Sequence, residues 1–365
     1  MSTDRHPGIN PRATSKRRPT GLAAKAAGIL RALAQKPEGR PLKCSRGIYP
    51  PVSLAVVFIS ISMLGPGMAR AQQSDITAAE KMLAEGRLVE AENRLKQTFE
   101  NTSSVRALIL LARLEGSRGQ PENALAYLQQ AVDIAPNSEE VLSSFARLSL
   151  ALGRPSPAVA ALDALIAMHP SVPDYHYQVG VARVQIGALT SGSESLEEAR
   201  RLAPQRPLTL IALGLARNRQ KRFEEARDAL TNALALEPGN IEALAALAEA
   251  REGLGELEEA EELAQQVLAD DASNNAKATA NVVLGMVLIK RQSYDEALEV
   301  LNRVVRMDAD SYKGHYQLSL AYARLGDREN ARKHQQLSRE ALARVDEQMT
   351  ALREAAGIQE EDGGM

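Results

Sequence analysis

Apolar residues recur along this chain at intervals of three and four, in paired segments separated by short polar turns. In the pair "PLTLIALGLARNRQ" and "FEEARDALTNALALEP" the repeated apolar positions are Leu210, Leu213, Leu230 and Leu234. This spacing places apolar side chains on one face of an α-helix. Aromatic residues make up 3% of the chain and tryptophan is absent, which also favours packed helices over sheets. The pattern predicts an all-α fold of helix pairs.

The helix pairs repeat with a period of 34 residues. This interval separates four prolines: Pro136, Pro170, Pro204 and Pro238. It also separates two columns of small residues, Ala112, Ala146, Gly180, Gly214, Ala248 and Ala124, Ala158, Gly192, Ala226, Ala260, and a leucine column, Leu128, Leu162, Leu196, Leu230. Allowing one deletion and one three-residue insertion, the frame predicts eight units, at about 72–104, 105–138, 139–172, 173–206, 207–240, 241–277, 278–311 and 312–345.

The columns have physical causes. Small residues let two helices cross closely, and a proline, which has no N–H to donate, ends one helix and begins the next. One helix pair cannot bury its apolar face alone, whereas eight stacked pairs build a continuous core from nearest-neighbour interfaces.

These columns and prolines resemble the tetratricopeptide repeat (TPR) family over about residues 72–345. The resemblance implies a right-handed α-solenoid of about eight helix-turn-helix repeats, with a concave groove lined by the first helix of each unit. The sequence departs from the family pattern at Ala264, which replaces a leucine, and at Gln335 and Ser338 in the last unit. We therefore expect looser packing at Ala264 and a last unit that meets solvent.

A helical pattern continues past the eighth unit through residues 346–357, where we expect a C-terminal capping helix to end. Its apolar positions are Leu337, Leu342, Val345, Met349 and Leu352. A solubilising cap on the last repeat is one interpretation, and a short dimerisation seam is the other. Residues 358–365 are predicted to be a disordered tail.

The N-terminal region, residues 1–71, is predicted to be a targeting segment. Residues 1–50 carry eleven Lys/Arg and two acidic residues, and an uncharged apolar run follows at 52–64. Ala69 and Ala71 form an A-x-A-like site, so we expect a signal peptide cleaved after Ala71 and a protein exported to the periplasm or secreted. The alternative is a membrane tether by an uncleaved signal, although thirteen apolar residues are fewer than the roughly 20 that span a bilayer.

Charge separates the two parts of the chain. Removing Arg70 and the basic head from the total leaves a net charge of −12 for residues 72–365. An acidic body repels phosphate, so we expect no nucleic-acid partner. The single cysteine, Cys44, would leave with the signal, and the mature chain would then depend on packing without disulfides.

Catalytic and metal-binding motifs are missing from the sequence, which predicts neither an enzyme nor a cofactor site. His169, Asp174 and His176 cluster in "HPSVPDYHYQVG", yet His176 falls in a column of core leucines, so a packing role is expected over a metal site. The triplet His-Tyr-Gln at 176–178 recurs at 315–317 in the same place of the frame.

Two columns are directed into the groove by the family resemblance. Their early members are basic and their later members form a mostly apolar stripe. The candidate partner-binding residues are Arg106, Arg113, Arg147, Tyr177, Val181, Ile211, Leu215, Val282, Met286, Tyr316 and Leu320. Such a stripe is either a partner site or part of the core between helices, and spacing alone does not separate the two.

These features predict a non-enzymatic scaffold or adaptor of the cell envelope that binds a peptide or an amphipathic helix of another protein. The alternative is a structural subunit of an envelope polysaccharide-export or outer-membrane assembly complex. An enzyme or a carbohydrate-binding module would need converging polar groups in the groove, and the two columns supply few.

Overall fold

The computed structural model describes residues 66–269 and 272–358. Within those residues the chain forms sixteen α-helices and no β-strand. The helices are α1 Pro66–Ala84, α2 Leu88–Thr102, α3 Val105–Ser117, α4 Pro121–Ile134, α5 Glu139–Ala151, α6 Pro155–Met168, α7 Pro173–Gln185, α8 Leu189–Leu202, α9 Pro207–Arg219, α10 Phe223–Leu236, α11 Ile241–Leu254, α12 Leu257–Ala269, α13 Asn274–Lys290, α14 Tyr294–Met307, α15 Tyr312–Leu325 and α16 Arg328–Ala355.

The sixteen helices pair into the eight units of the predicted frame, and consecutive helices pack against each other throughout. The all-α prediction is therefore confirmed. The first helix of a unit also contacts the first helix of a neighbouring unit, as α11 does with α13. First helices thus line one surface of the array, which we call the inner face. The predicted apolar signal core at 52–64, Cys44 and residues 359–365 of the predicted tail lie outside the described residues.

The small-residue column marks where the two helices of a unit approach most closely. A Cβ atom added at Gly214 of α9 would lie 2.4 Å from Cγ of Leu230 in α10. At Gly180 the corresponding distance to Leu196 Cγ is 2.7 Å. The small column and the leucine column of the sequence are therefore the two sides of one contact.

We expect Gly214→Ala to lower the free energy of unfolding by about 1–3 kcal/mol, because the fully buried Leu230 has to move. The matched control is Gly116→Ala in α3, where an added Cβ meets nothing within 4 Å. That change should raise stability by roughly 0.5–1 kcal/mol, since alanine favours helix. Urea-induced unfolding of both variants checks the pair, and equal effects would contradict the close contact.

Packing at the sixth unit differs from the prediction. Ala264 is fully buried in a cluster with Ala260, Val267 and Leu244, and the neighbouring Leu263 packs against that cluster. The expectation of looser packing there is wrong, because Leu263 supplies apolar volume beside the missing column leucine. Part of the inserted sequence lengthens α13, which has 17 residues.

The predicted capping helix is the second helix of the eighth unit itself. Helix α16 runs uninterrupted for 28 residues from Arg328 to Ala355. Ser338, which departs from the family pattern, is buried, and its hydroxyl donates a hydrogen bond to the carbonyl of Tyr312 at 3.0 Å. Ile358 packs against a core cluster in the middle of the array, so the prediction of a disordered tail is wrong at that residue.

Two histidines join the helices of the eighth unit. His315 Nε2 lies 3.0 Å from the carbonyl oxygen of Ala309 and therefore carries its proton there. In the neutral His315 ring, Nδ1 then accepts, at 2.9 Å, from Nδ1–H of His334, whose ring also stacks on Tyr322. Burial, followed by the nearby His315 and Lys333, lowers the pKa of His334.

Acidification should therefore loosen the last unit. A histidine with a lowered pKa in the folded state binds fewer protons than in the unfolded chain, so its contribution is complete above about pH 6.5 and is lost as the pH falls. The slope cannot exceed about 1.4 kcal/mol per pH unit for one proton. Urea midpoints between pH 7.5 and 5 should fall more steeply in the parent than in His334→Phe, and parallel curves would contradict this.

None of the helices within residues 66–269 and 272–358 has both the length and the apolarity that a bilayer crossing requires.

Candidate functional site

Ion pairs link the first helices of different units across the inner face. The Arg106 guanidinium of α3 lies 2.9 Å from Glu80 of α1 and 2.9 Å from Glu140 of α5. Lys313 of α15 pairs with Glu249 of α11, two units earlier. First helices of different units are thus joined through side chains that face a common surface.

Arg106 forms both of its ion pairs within the array, and its side chain is 42% exposed. An acidic group of a partner would have to compete with Glu80 and Glu140 for this guanidinium, so its predicted role in partner binding stays a prediction. Arg113 and Arg147 are exposed, and neither has an ion-pair partner among the residues that the structure describes. The basic end of the inner face therefore consists of these two arginines.

Lys313 remains a cation despite its crowded position. Desolvation lowers the pKa of its ammonium group, but attraction and hydrogen bonding to the Glu249 carboxylate outweigh that effect, and the pKa is raised overall. Together Lys313 and Glu249 add no net charge to the inner face between units six and eight.

The apolar stripe divides into core and surface. Ile211 and Val282 are only 5% and 7% exposed, and Ile211 packs with residues of α10 and α11. The expectation that these two side chains face a partner is wrong, because both are buried within the array. Leu215, one helical turn after Ile211, is 39% exposed and stays on the surface.

The remaining members of the stripe are reachable to different degrees. Tyr316 is exposed, whereas four side chains are half-buried: Tyr177, Val181, Met286 and Leu320. The guanidinium carbon of Arg206 lies 4.7 Å from the centroid of the Tyr177 ring, a cation–π contact. Burial raises the pKa of the Tyr177 phenol, which the Arg206 cation only partly offsets, so the phenol stays neutral.

Sequence reasoning missed Leu208. This residue is 50% exposed near the start of α9 and precedes Leu215 by seven residues, two helical turns along the same face. Its column is otherwise polar, with Arg106, Glu140 and Lys313 among its members. The signal was present in the sequence as one apolar residue in an otherwise polar column, a column from which Arg106 alone had been predicted to bind a partner.

The repeated His-Tyr-Gln triplet has a structural explanation. His176 Nε2 lies 2.8 Å from the carbonyl oxygen of Pro170, and His315 makes the same bond to the residue six positions before it. Each histidine thus ties the start of a first helix to the preceding turn, His315 buried and His176 half-buried. His169 lies 3.1 Å from Glu139 instead. No group of three metal-ligating side chains converges anywhere in the described part of the chain.

Comparison with known proteins gives both a family and a fold. Residues 26–319 match the family model described as the C-terminal domain of cilia and flagella-associated protein 70, a TPR domain. A TPR protein from Parabacteroides merdae is 15% identical, with a TM-score of 0.50, over 69% of this chain and 99% of its own. No match was found among curated proteins.

Other solved structures have lower TM-scores. TTC0263, a TPR protein of Thermus thermophilus, is 24% identical over 50% of this chain and 99% of its own, with a TM-score of 0.39. The human IFIT1 dimer with m7Gppp-AAAA is 20% identical over 73% of this chain and 67% of its own, with a TM-score of 0.43.

The likeness to the Parabacteroides protein shows the fold, a right-handed α-solenoid of TPR units that ends in the extended α16. The family match covers most of the eight-unit frame, and its repeat type agrees with the small-residue columns and inter-unit prolines of the sequence. The chain therefore belongs to the TPR family described as the cilia and flagella-associated protein 70 C-terminal domain.

Proposed function

We propose that this protein is a non-enzymatic scaffold that binds another protein on its inner face. The observation that carries the proposal is the exposure of Leu208 and Leu215, on one face of α9, on the same surface as the unpartnered Arg113 and Arg147. Apolar side chains left on the surface of a preformed array mark a partner site more often than a catalytic one. TPR folds are generally protein-interaction scaffolds, which supports this class.

The partner is an amphipathic helix or an extended peptide with an acidic flank. Its apolar side chains would contact Leu208, Leu215 and the half-buried Tyr177 and Val181, while its acidic flank would meet the two arginines. The net charge of −12 over residues 72–365 opposes a nucleic-acid ligand. The mechanism is non-covalent and uses no cofactor.

The site of action in this proposal is the cell envelope, after export to the periplasm or secretion. Support comes from the basic head, the apolar run at 52–64 and the small residues Ala69 and Ala71. Cleavage after Ala71 would leave α1 beginning at Gln72, close to the length of the other first helices. The alternative topology is a tether by an uncleaved signal.

Site-specific photo-cross-linking tests the proposal. A benzophenone amino acid at position 215, or at 208, should cross-link a partner in the native envelope, to be identified by mass spectrometry. The matched control is the same amino acid at Leu236, which is 44% exposed at the end of α10, a second helix. Cross-links at 236 equal to those at 215 would contradict an inner-face site and favour a structural subunit held along its whole surface.

A further inference from the structure

The end of α16 leaves its own unit and packs on the third and fourth units. The Ser156 hydroxyl, in the first turn of α6, donates a hydrogen bond to the backbone carbonyl of Leu352 at 2.6 Å. A Cβ added at Gly187, in the turn between α7 and α8, would lie 3.0 Å from Arg353 Nη1 and 3.4 Å from Met349 Cβ. Apolar side chains of the same segment, Leu352, Ala356 and Ile358, pack against the core cluster of units two to four.

The contact buries a position that is exposed in the other units. Ser156 is the second residue of its helix and is 3% exposed. The second residues of the other second helices are all exposed: Val89, Glu122, Thr190, Glu224, Glu258, Asp295 and Glu329. The third unit thus offers a covered surface where the repeat ordinarily meets solvent.

Acidic residues at the starts of the second helices also distinguish units three and four from the others. The first turn carries an acidic residue in six of the eight second helices, α2, α4, α10, α12, α14 and α16, but not in α6 or α8. The carbonyl-rich end of α16 carries a partial negative charge and lies at the amino end of α6, which carries a partial positive one. A carboxylate at Ser156 would repel those carbonyl groups, so the two units that receive α16 are the two without acids.

The turn before α8 shows a matching departure. Ala188 precedes α8 and is buried in the cluster that receives α16. The equivalent positions of the other seven units are all polar: Arg87, Gln120, Arg154, Arg222, Glu256, Ser293 and Asp327. On the other side of the contact, Val345, Met349, Leu352 and Ala356 are spaced by four, three and four residues, which places them on one helical face.

We propose that the first turn of α6 and the turn before α8 form a helix-docking site, that its occupant is the C-terminal segment 346–358 of the same chain, and that this clamp fixes the curvature of the inner face. Two apolar faces meet there and supply the buried area of the contact. Two helix ends of opposite partial charge also meet there and fix the orientation of α16 relative to α6. The family match ends at residue 319, so the docking segment is a feature of this chain beyond the matched domain.

Hydrogen–deuterium exchange of the full chain tests the clamp, with the docking surface altered from both sides. Gly187→Asn keeps a residue that tolerates the left-handed backbone (φ +81) but places a side chain against Arg353. Ser156→Glu adds a charge beneath the end of α16. Leu352→Glu changes α16 itself and leaves the sequence of units three and four unaltered. Each change should accelerate exchange in residues 346–358 by about tenfold or more. The radius of gyration from X-ray scattering should rise as the array opens.

The matched controls are Gly153→Asn, at a left-handed glycine (φ +65) with nothing within 4 Å, and Thr190→Glu, at the exposed equivalent of Ser156. Both should exchange like the parent. Parent exchange as fast as that of the variants would overturn docking in solution. Protection that grows with protein concentration would overturn the intramolecular occupant and assign the site to a second copy. Faster exchange without a change in radius would overturn the effect on curvature.

Discussion

Glutamate at position 211 should unfold the middle of the array, whereas glutamate at position 215 should leave its melting curve unchanged and abolish partner capture. The two residues are one turn apart in α9, but Ile211 is 5% exposed and Leu215 is 39% exposed. Burying an unpaired carboxylate at 211, together with the lost apolar contacts, should cost at least about 3 kcal/mol. A surface substitution at 215 should change stability by no more than about 0.5 kcal/mol.

Thermal melting and capture of the protein that cross-links at 215 are to be measured on the same preparations. Leu208→Glu should behave like Leu215→Glu, because the two leucines share a face. Leu236→Glu is the control for adding one negative charge to an exposed leucine of the same unit. Normal capture by Leu215→Glu would remove the inner face as the binding surface, and a collapsed melt would assign Leu215 to the core.

A second large effect is expected between the sixth and seventh units. The Glu252 side chain in α11 is 4% exposed, and its Oε1 lies 2.6 Å from Lys290 Nζ in α13. Lys290→Met leaves this carboxylate buried without its counter-charge, which should cost about 3–5 kcal/mol. Lys290 also donates to the backbone carbonyl of Glu252 at 3.1 Å, so the substitution removes two contacts of one side chain.

The double variant separates charge from packing. Adding Glu252→Gln to Lys290→Met removes the uncompensated charge and should recover most of the lost free energy of unfolding, as measured in urea. Glu252→Gln alone should cost less than Lys290→Met alone. A double variant no more stable than Lys290→Met would show that the lysine acts through its packing and its backbone contact.

The repeat pattern of the sequence was sufficient to predict the helices, because the same spacing of apolar residues, small residues and prolines recurs in successive units. Pro170, Gly180 and Leu196 each belong to columns whose members confirm one another, so errors at single positions do not move the frame. Ala264 shows the limit of this reasoning, since a missing column residue was compensated by Leu263 beside it. A column describes the average unit and not the local packing.

The candidate site was harder to predict, for a physical reason. Ile211 and Leu215 have the same periodicity, and only the positions of α10 and α11 decide that one is covered. Arg106 could not be distinguished from Arg113 without the carboxylates of units one and three around it. The docking of Leu352 near Ser156 joins residues 196 positions apart, which lies beyond any periodicity of 34.

The docked end of α16 also has a consequence for the order of folding. A linear repeat array can nucleate at any unit and lose structure from either end. Here α16 closes on units that are synthesised long before it, so it can dock only after they have folded. Once closed, the C-terminal end can no longer fray independently of the middle. Among the described units, thermal unfolding should then begin at unit one, which lies outside the cluster that receives α16.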